Sequence, residues 1–297
     1  MIGQQLLNGV VAGSVYALFA LGFTLIFSVN HILNMAHGAV FMVGAFTGLV
    51  CVTRLELPIA LVFVMAAACA GMLNVALDHL AFRPLRKRRA PEFSAIISSV
   101  GAGLIIMSVV QRLSETRVLR YPFGTFPVVV FEILGLRVTL INCVMVGTAL
   151  VLFLALIFYL FHTRFGAQLR AVAVSERAAA LLGINSQAIY FQAFFISGAF
   201  AGIAGVLIGI AYNSVHYMMG EGYMLKAFVV IVLGGLGSIP GALLAGLLLG
   251  IVQTLTVAYL STGLSDAIIF SILFVTLLVR PTGFFGYIRK ERRVCRE

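Results

Sequence analysis

The chain has 297 residues, 62% of them hydrophobic and only 10% charged, with a mean hydropathy of +1.11. That composition excludes an ordinary soluble domain, in which about 25% of residues are charged. The net charge of +10 sits in clusters directly beside apolar runs, which points to loops between membrane spans rather than to a nucleic-acid interface.

In chain order the candidate spans are 7–29, 39–53, 59–80, 94–111, 140–161, 188–212, 227–237, 241–260 and 264–279. A helix needs about 20 residues to cross about 30 Å of hydrocarbon. The second and seventh runs fall short, so each is either a full span beside re-entrant backbone or a half-span. The expectation is an all-α polytopic protein of about nine spans, a single transmembrane domain over 1–297. Long apolar runs, rather than alternating ten-residue segments, argue against a β-barrel. The first run has no basic region before it and no cleavage signal after it, so it reads as a retained span.

Three segments hold fourteen of the twenty basic residues. Arg83, Arg86, Lys87, Arg88 and Arg89 form the first, and Arg164, Arg170 and Arg177 mark the central loop at 164–187. Arg280, Arg289, Lys290, Arg292, Arg293 and Arg296 mark the C-terminal end, with a basic tail over 281–297. The positive-inside rule places all three in the cytoplasm, and three spans before Arg83 then put the N-terminus outside.

The central loop holds a short helix with its own start and stop. Ser175 suits an N-cap, Glu176 suits the positive end of the helix dipole, Arg177, Ala178 and Ala179 continue into strong helix formers, and Gly183 suits the left-handed stop. Two turns of helix are marginal alone, so a folded partner is expected to hold it through a surface of small residues. On these local signals a capped turn joining two spans fits equally well.

The sequence has no G-x-x-x-x-G-K-[ST] phosphate loop, so nucleotide hydrolysis is not expected of this chain. The five histidines and Cys51, Cys69, Cys143 and Cys295 lack metal spacing, and no cofactor is called for. Glu56, Asp78, Glu221, Lys226 and Asp266 all fall near span ends, leaving a nearly neutral interior. The pairs Gly9/Gly13, Gly198/Gly202, Gly205/Gly209 and Gly246/Gly250 read mainly as close packing within one bundle, with Gly198 to Gly209 also open to a subunit contact.

A weak repeat appears at an offset of 182. Gly38, Met42, Ala45, Phe46 and Pro58 match Gly220, Met224, Ala227, Phe228 and Pro240, and Phe41 faces Tyr223. The charge-based topology runs the two copies in opposite directions, and paired interrupted segments of this kind mark the substrate route in transporters. Asn34, His37, Gly38, Gly220, Glu221 and Lys226 are therefore the candidate route residues, with Gly38 and Gly220 keeping it open. The alternative is that Asn34 and His37 cap helix ends while Glu221 and Lys226 meet headgroups or a partner protein.

Five ordered motifs resemble one family. They are GSVYALFALGFTLIFSVNHILNMAHGAVFMVGAF, FRPLRKRRAPEFSAIISSVG, RFGAQLRAVAVSERAAALLGI, LKAFVVIVLGGLGSIPGALLAGLLLG and LLVRPTGFFG, and together they look like the H-type permeases of branched-chain amino acid ABC importers. The resemblance implies the type II-like importer fold with an inverted repeat, lacking the first of its usual ten helices. It also implies a bacterial inner-membrane location, a second permease subunit, two cytoplasmic ATP-binding subunits and a periplasmic binding protein. In that family a short cytoplasmic helix docks on the ATPase, and Ser175 to Gly183 match it. Arg177, Ala178, Ala179 and Gly183 fill the E-A-A-x-x-x-G spacing, with arginine in the glutamate position. Relatives with amino acid substrates often carry glutamate after N-x-A-H-G, where this chain has Ala39. The function implied is half of an import pathway for small hydrophobic amino acids. The alternative is a secondary transporter or facilitator for a small metabolite such as urea or an amide.

Overall fold

The computed structural model describes residues 2–88, 90–122, 124–133 and 135–285. Arg89 of the first basic cluster and Arg289, Lys290, Arg292, Arg293, Cys295 and Arg296 of the tail lie outside the described residues. The helices are α1 (Ile2–Asn30), α2 (His37–Thr53), α3 (Ile59–Leu77), α4 (Arg83–Lys87), α5 (Glu92–Leu113), α6 (Leu140–His162), α7 (Arg164–Val174), α8 (Glu176–Leu181), α9 (Ser186–Tyr212), α10 (Met219–Gly234), α11 (Ile239–Tyr259) and α12 (Thr262–Val279). A π-helical turn, Asp78–Phe82, joins α3 to α4.

Among the described residues seven helical rods are long and apolar enough to cross a membrane. The two runs read as short, α2 and α10, have 17 and 16 residues and begin inside the bundle. Of the about nine spans expected, seven are long rods among the described residues and two are shorter helices. The seventh run was placed at 227–237, but α10 starts at Met219 and stops at Gly234, so Glu221 and Lys226 lie within the helix rather than flanking it. Two charges do not break a helix that tertiary contacts support. The stop comes at Gly235, whose φ of +99° suits glycine alone.

α1 is the axis of the bundle. Gly9 and Gly13 meet Gly246 and Gly250 of α11 so closely that a Cβ on Gly13 would lie 2.8 Å from the Cα of Leu247. Lipid tails are as apolar as the helices, so association depends on this close backbone approach rather than on hydrophobic burial. Gly198 and Gly202 of α9 pack likewise on Ala70 and Ala66 of α3, and Gly205 on the backbone of Phe41 in α2. The glycine pairs serve packing inside this chain.

The bundle has two faces. On one, the Gln4 side chain bonds the N–H and the carbonyl of Arg137, both at 2.9 Å, and Leu119 bridges to Val215. That face carries an antiparallel hairpin, β1 (Val130–Ile133) and β2 (Leu136–Thr139), with Gly135 at φ +75°. It is the exception to the all-α expectation, an apolar segment too short for a span. On the other face, Arg83 donates to Gln187 at 2.8 Å, joining the first basic cluster to the central loop. There the C-terminal strap donates from Phe284 N to Leu233 O at 2.9 Å and from Phe285 N to Gly234 O at 3.1 Å, satisfying the last carbonyls of α10. The described basic clusters therefore share one face, as the parity of the spans predicts.

Candidate functional site

The central loop folds as two helices, of which sequence reasoning anticipated only the second. α7 starts where Thr163 accepts from Gly166 N at 3.0 Å, and it buries Gly166, Leu169 and Val172 against the bundle. α8 follows immediately. Ser175 caps it by accepting from Ala178 N at 3.3 Å. At its end Gly183, at φ +79°, donates to Ala180 O at 3.0 Å and Ile184 donates to Ala179 O at 3.1 Å, a Schellman closure. Glu176, Arg177, Ala178 and Gly183 lie on the exposed side with Leu181 and Leu182, which are 90% and 79% exposed.

Ala179 departs from the expected small-residue surface. It is 1% exposed, because the single turn of α8 that touches the bundle does so through this residue. The outward face is instead Arg177, Ala178, Leu181 and Leu182, more apolar at its tip than the sequence suggested.

Behind α8 lies a cluster that sequence reasoning missed. Arg86 pairs with Asp78 at 2.7 Å, and its guanidinium stands 4.2 Å from the ring centre of Tyr190 in the first turns of α9. Asp78 was read as a span-end residue but is only 5% exposed, since the π-helical turn rotates it into the bundle. One turn earlier, Asn74 donates to Phe194 O at 2.8 Å and accepts from Asn34 at 3.2 Å. Spacing along the chain gave no signal for this cluster, which spans four elements.

The structure separates the six route candidates. Asn34 is buried, and its Oδ1 accepts from Ala36 N at 3.1 Å, so it shapes the entry to α2. His37 is fully buried, its ring stacked 4.6 Å from Phe19 and edge-on 5.7 Å from Phe23, with Nε2 at 3.4 Å from Phe19 O. Lys226 turns to another side, 4.0 Å from Asp266 and 5.5 Å from the ring centre of Tyr16. These three residues do not line the groove that the other three share.

Gly38, Gly220 and Glu221 come together. Gly38 and Gly220 meet backbone to backbone: a Cβ on Gly38 would lie 2.6 Å from the carbonyl oxygen of Gly220. The copies of the repeat cross here and diverge, α2 toward Tyr121, whose hydroxyl donates to Ala45 O at 3.3 Å, and α10 toward Ser28, beside Gly237. The crossing lies near the middle of α1, since Tyr223 of α10 is 5.7 Å from Tyr16 and His37 lies on Phe19. Beside it runs a groove of about 290 Å³, whose lining includes Met35, Gly38, Leu104, Met107, Gly220 and Glu221. A wider, more polar cavity of about 630 Å³ lies near the hairpin face, with Gln5, Asn8, Tyr16, Asn142 and Gln253 in its wall.

A family model described as "Branched-chain amino acid transport system / permease component" matches residues 5–277. The chain is 35% identical over 294 residues to the high-affinity branched-chain amino acid transport system permease protein LivH of Escherichia coli K12, covering 95% of each chain. It is 33% identical over 297 residues to the corresponding protein BraD of Pseudomonas aeruginosa, again covering 95% of each. No solved structure matches.

Proposed function

The chain belongs to the branched-chain amino acid transport permease family, and from that premise we propose that it forms half of the translocation pathway of an ABC importer for branched-chain or other small hydrophobic amino acids. The observation that carries this reading is similarity over nearly the whole chain to permeases named for that transport. Energy enters from outside the chain, because the sequence carries no phosphate loop of its own. Two ATP-binding subunits supply it, one of them seated on the exposed side of α8. A second permease completes the pathway, and a periplasmic binding protein delivers substrate to the hairpin face.

The basic face is cytoplasmic in this reading, and the N-terminus lies outside. The groove beside Gly38 and Gly220 is part of the route. Its aliphatic and thioether walls suit a branched side chain, and it lies where the half-helices of the repeat meet.

The test is uptake by proteoliposomes holding the complex, with the purified binding protein on the outside and ATP enclosed. Leucine accumulation that requires enclosed ATP and both ATPase subunits is the expected result. Uptake by this chain alone, driven by an ion gradient, would overturn the proposal in favour of a secondary transporter.

A further inference from the structure

Position 221 is the repeat partner of position 39, since the offset of 182 that relates Gly38 to Gly220 also relates Ala39 to Glu221. Both residues follow their glycine at the start of a short helix, and both line the same groove. The groove is thus built by two equivalent positions, one carrying a methyl group and the other a carboxylate.

That carboxylate is placed where a charge is costly. It lies one residue from the crossing, at the level of the middle of α1, a helix of 29 residues that is longer than the hydrocarbon is thick. Among the described residues Glu221 has no ion pair and no side-chain hydrogen bond. Glu221 is exposed on the open side of the groove, whereas Asp78 and Lys226 are drawn into the bundle and each has a partner, Arg86 at 2.7 Å and Asp266 at 4.0 Å. An ionisable side chain kept at this depth without a partner marks a route or a binding site. The rest of the lining is glycine, alanine, aliphatic and methionine side chains with Tyr217, so among the described residues Glu221 is its only carboxylate.

Resting on the proposed import function, we infer that Glu221 is the specificity-determining residue of the groove. Its carboxylate receives the ammonium group of the passing amino acid while Met35, Leu104 and Met107 face the apolar side chain. An occupant with a cation at one end and a branched hydrocarbon at the other complements these walls in both charge and polarity. The pseudo-two-fold relation adds a second claim, that the carboxylate works equally from position 39.

The experiment uses the assembled complex with its ATPase subunits and binding protein in proteoliposomes, with leucine as probe. Glu221→Gln is expected to reduce uptake at least tenfold while ATPase co-purification and leucine binding by the binding protein stay at wild-type levels. Adding Ala39→Glu to Glu221→Gln is expected to restore uptake to within about threefold of wild type. Unchanged uptake in Glu221→Gln overturns the inference, and so does failure of Ala39→Glu to restore it in an assembled complex. Where Glu221→Gln fails to assemble, Glu221→Asp reads the same claim, because it keeps the charge and must keep leucine uptake. Inactive wild-type complex would instead remove the import function itself.

Discussion

Gly38 and Gly220 show how a single missing methyl group organises this protein. From the sequence they read as residues that keep a passage open, but each sits against the carbonyl of the other, with no room for a side chain. Gly220→Ala therefore drives a Cβ into the backbone of α2, and overpacking of this kind costs about 1–3 kcal/mol. Thermal unfolding of the detergent-solubilised complex should shift down, with leucine at either position preventing stable assembly rather than blocking an intact route. A Gly220→Leu complex that assembles at wild-type yield would contradict the crossing. Asn34 makes a parallel case. Asn34→Leu leaves the amide of Ala36 and the carboxamide oxygen of Asn74 without their partner, at about 1–3 kcal/mol for each stranded group. Limited proteolysis at the α1–α2 connection should speed up in this variant while Asn34→Asp, which keeps the acceptor toward Ala36, changes it less.

At the scale of the element, α8 was readable because its start and stop are local chemistry. Ser175 needs only the amide three residues on, and Gly183 needs only its own φ of +79°. Which side faces outward was not readable, since one turn of helix carries too few apolar residues to reveal a buried stripe, and Ala179 gave no sign of facing inward. The same limit hid the Asp78, Arg86 and Tyr190 cluster, assembled from the π-helical turn, α4 and α9. The two short helices announced themselves by their length, while their meeting point depended on a faint repeat. Gly183→Val places a β-branched residue in the left-handed region at about 1–2 kcal/mol and should weaken ATPase retention on an affinity column by several-fold. Ala179→Arg unseats α8 from the bundle, seen as faster hydrogen exchange across 175–184. Exchange at wild-type rates would mean that α8 does not rest on Ala179. Arg86→Gln leaves Asp78 buried without its cation, and it should lower the uptake obtained per ATP hydrolysed more than it lowers ATPase retention.

On the scale of the whole molecule, the basic clusters fall on one face and the hairpin on the other, an arrangement that span parity and charge predicted together. Topology is read by single cysteines in a background lacking the native four. Residues at Gln4 and Thr125 should react with an impermeant thiol reagent from outside intact cells, and those at Arg88 and Gln187 only after permeabilisation. Reaction at Gln4 from the cytoplasmic side alone would invert the bundle.

The central claim is that an external ATPase grips this permease at α8, and site-directed cross-linking to that subunit tests it most directly. Leu181→Cys, at a position 90% exposed on the basic face, should join to the ATP-binding subunit through a short bifunctional reagent in the assembled complex. Val128→Cys, equally exposed at 90% but on the hairpin face, should not. Cross-linking from position 128 and none from position 181 would contradict the account.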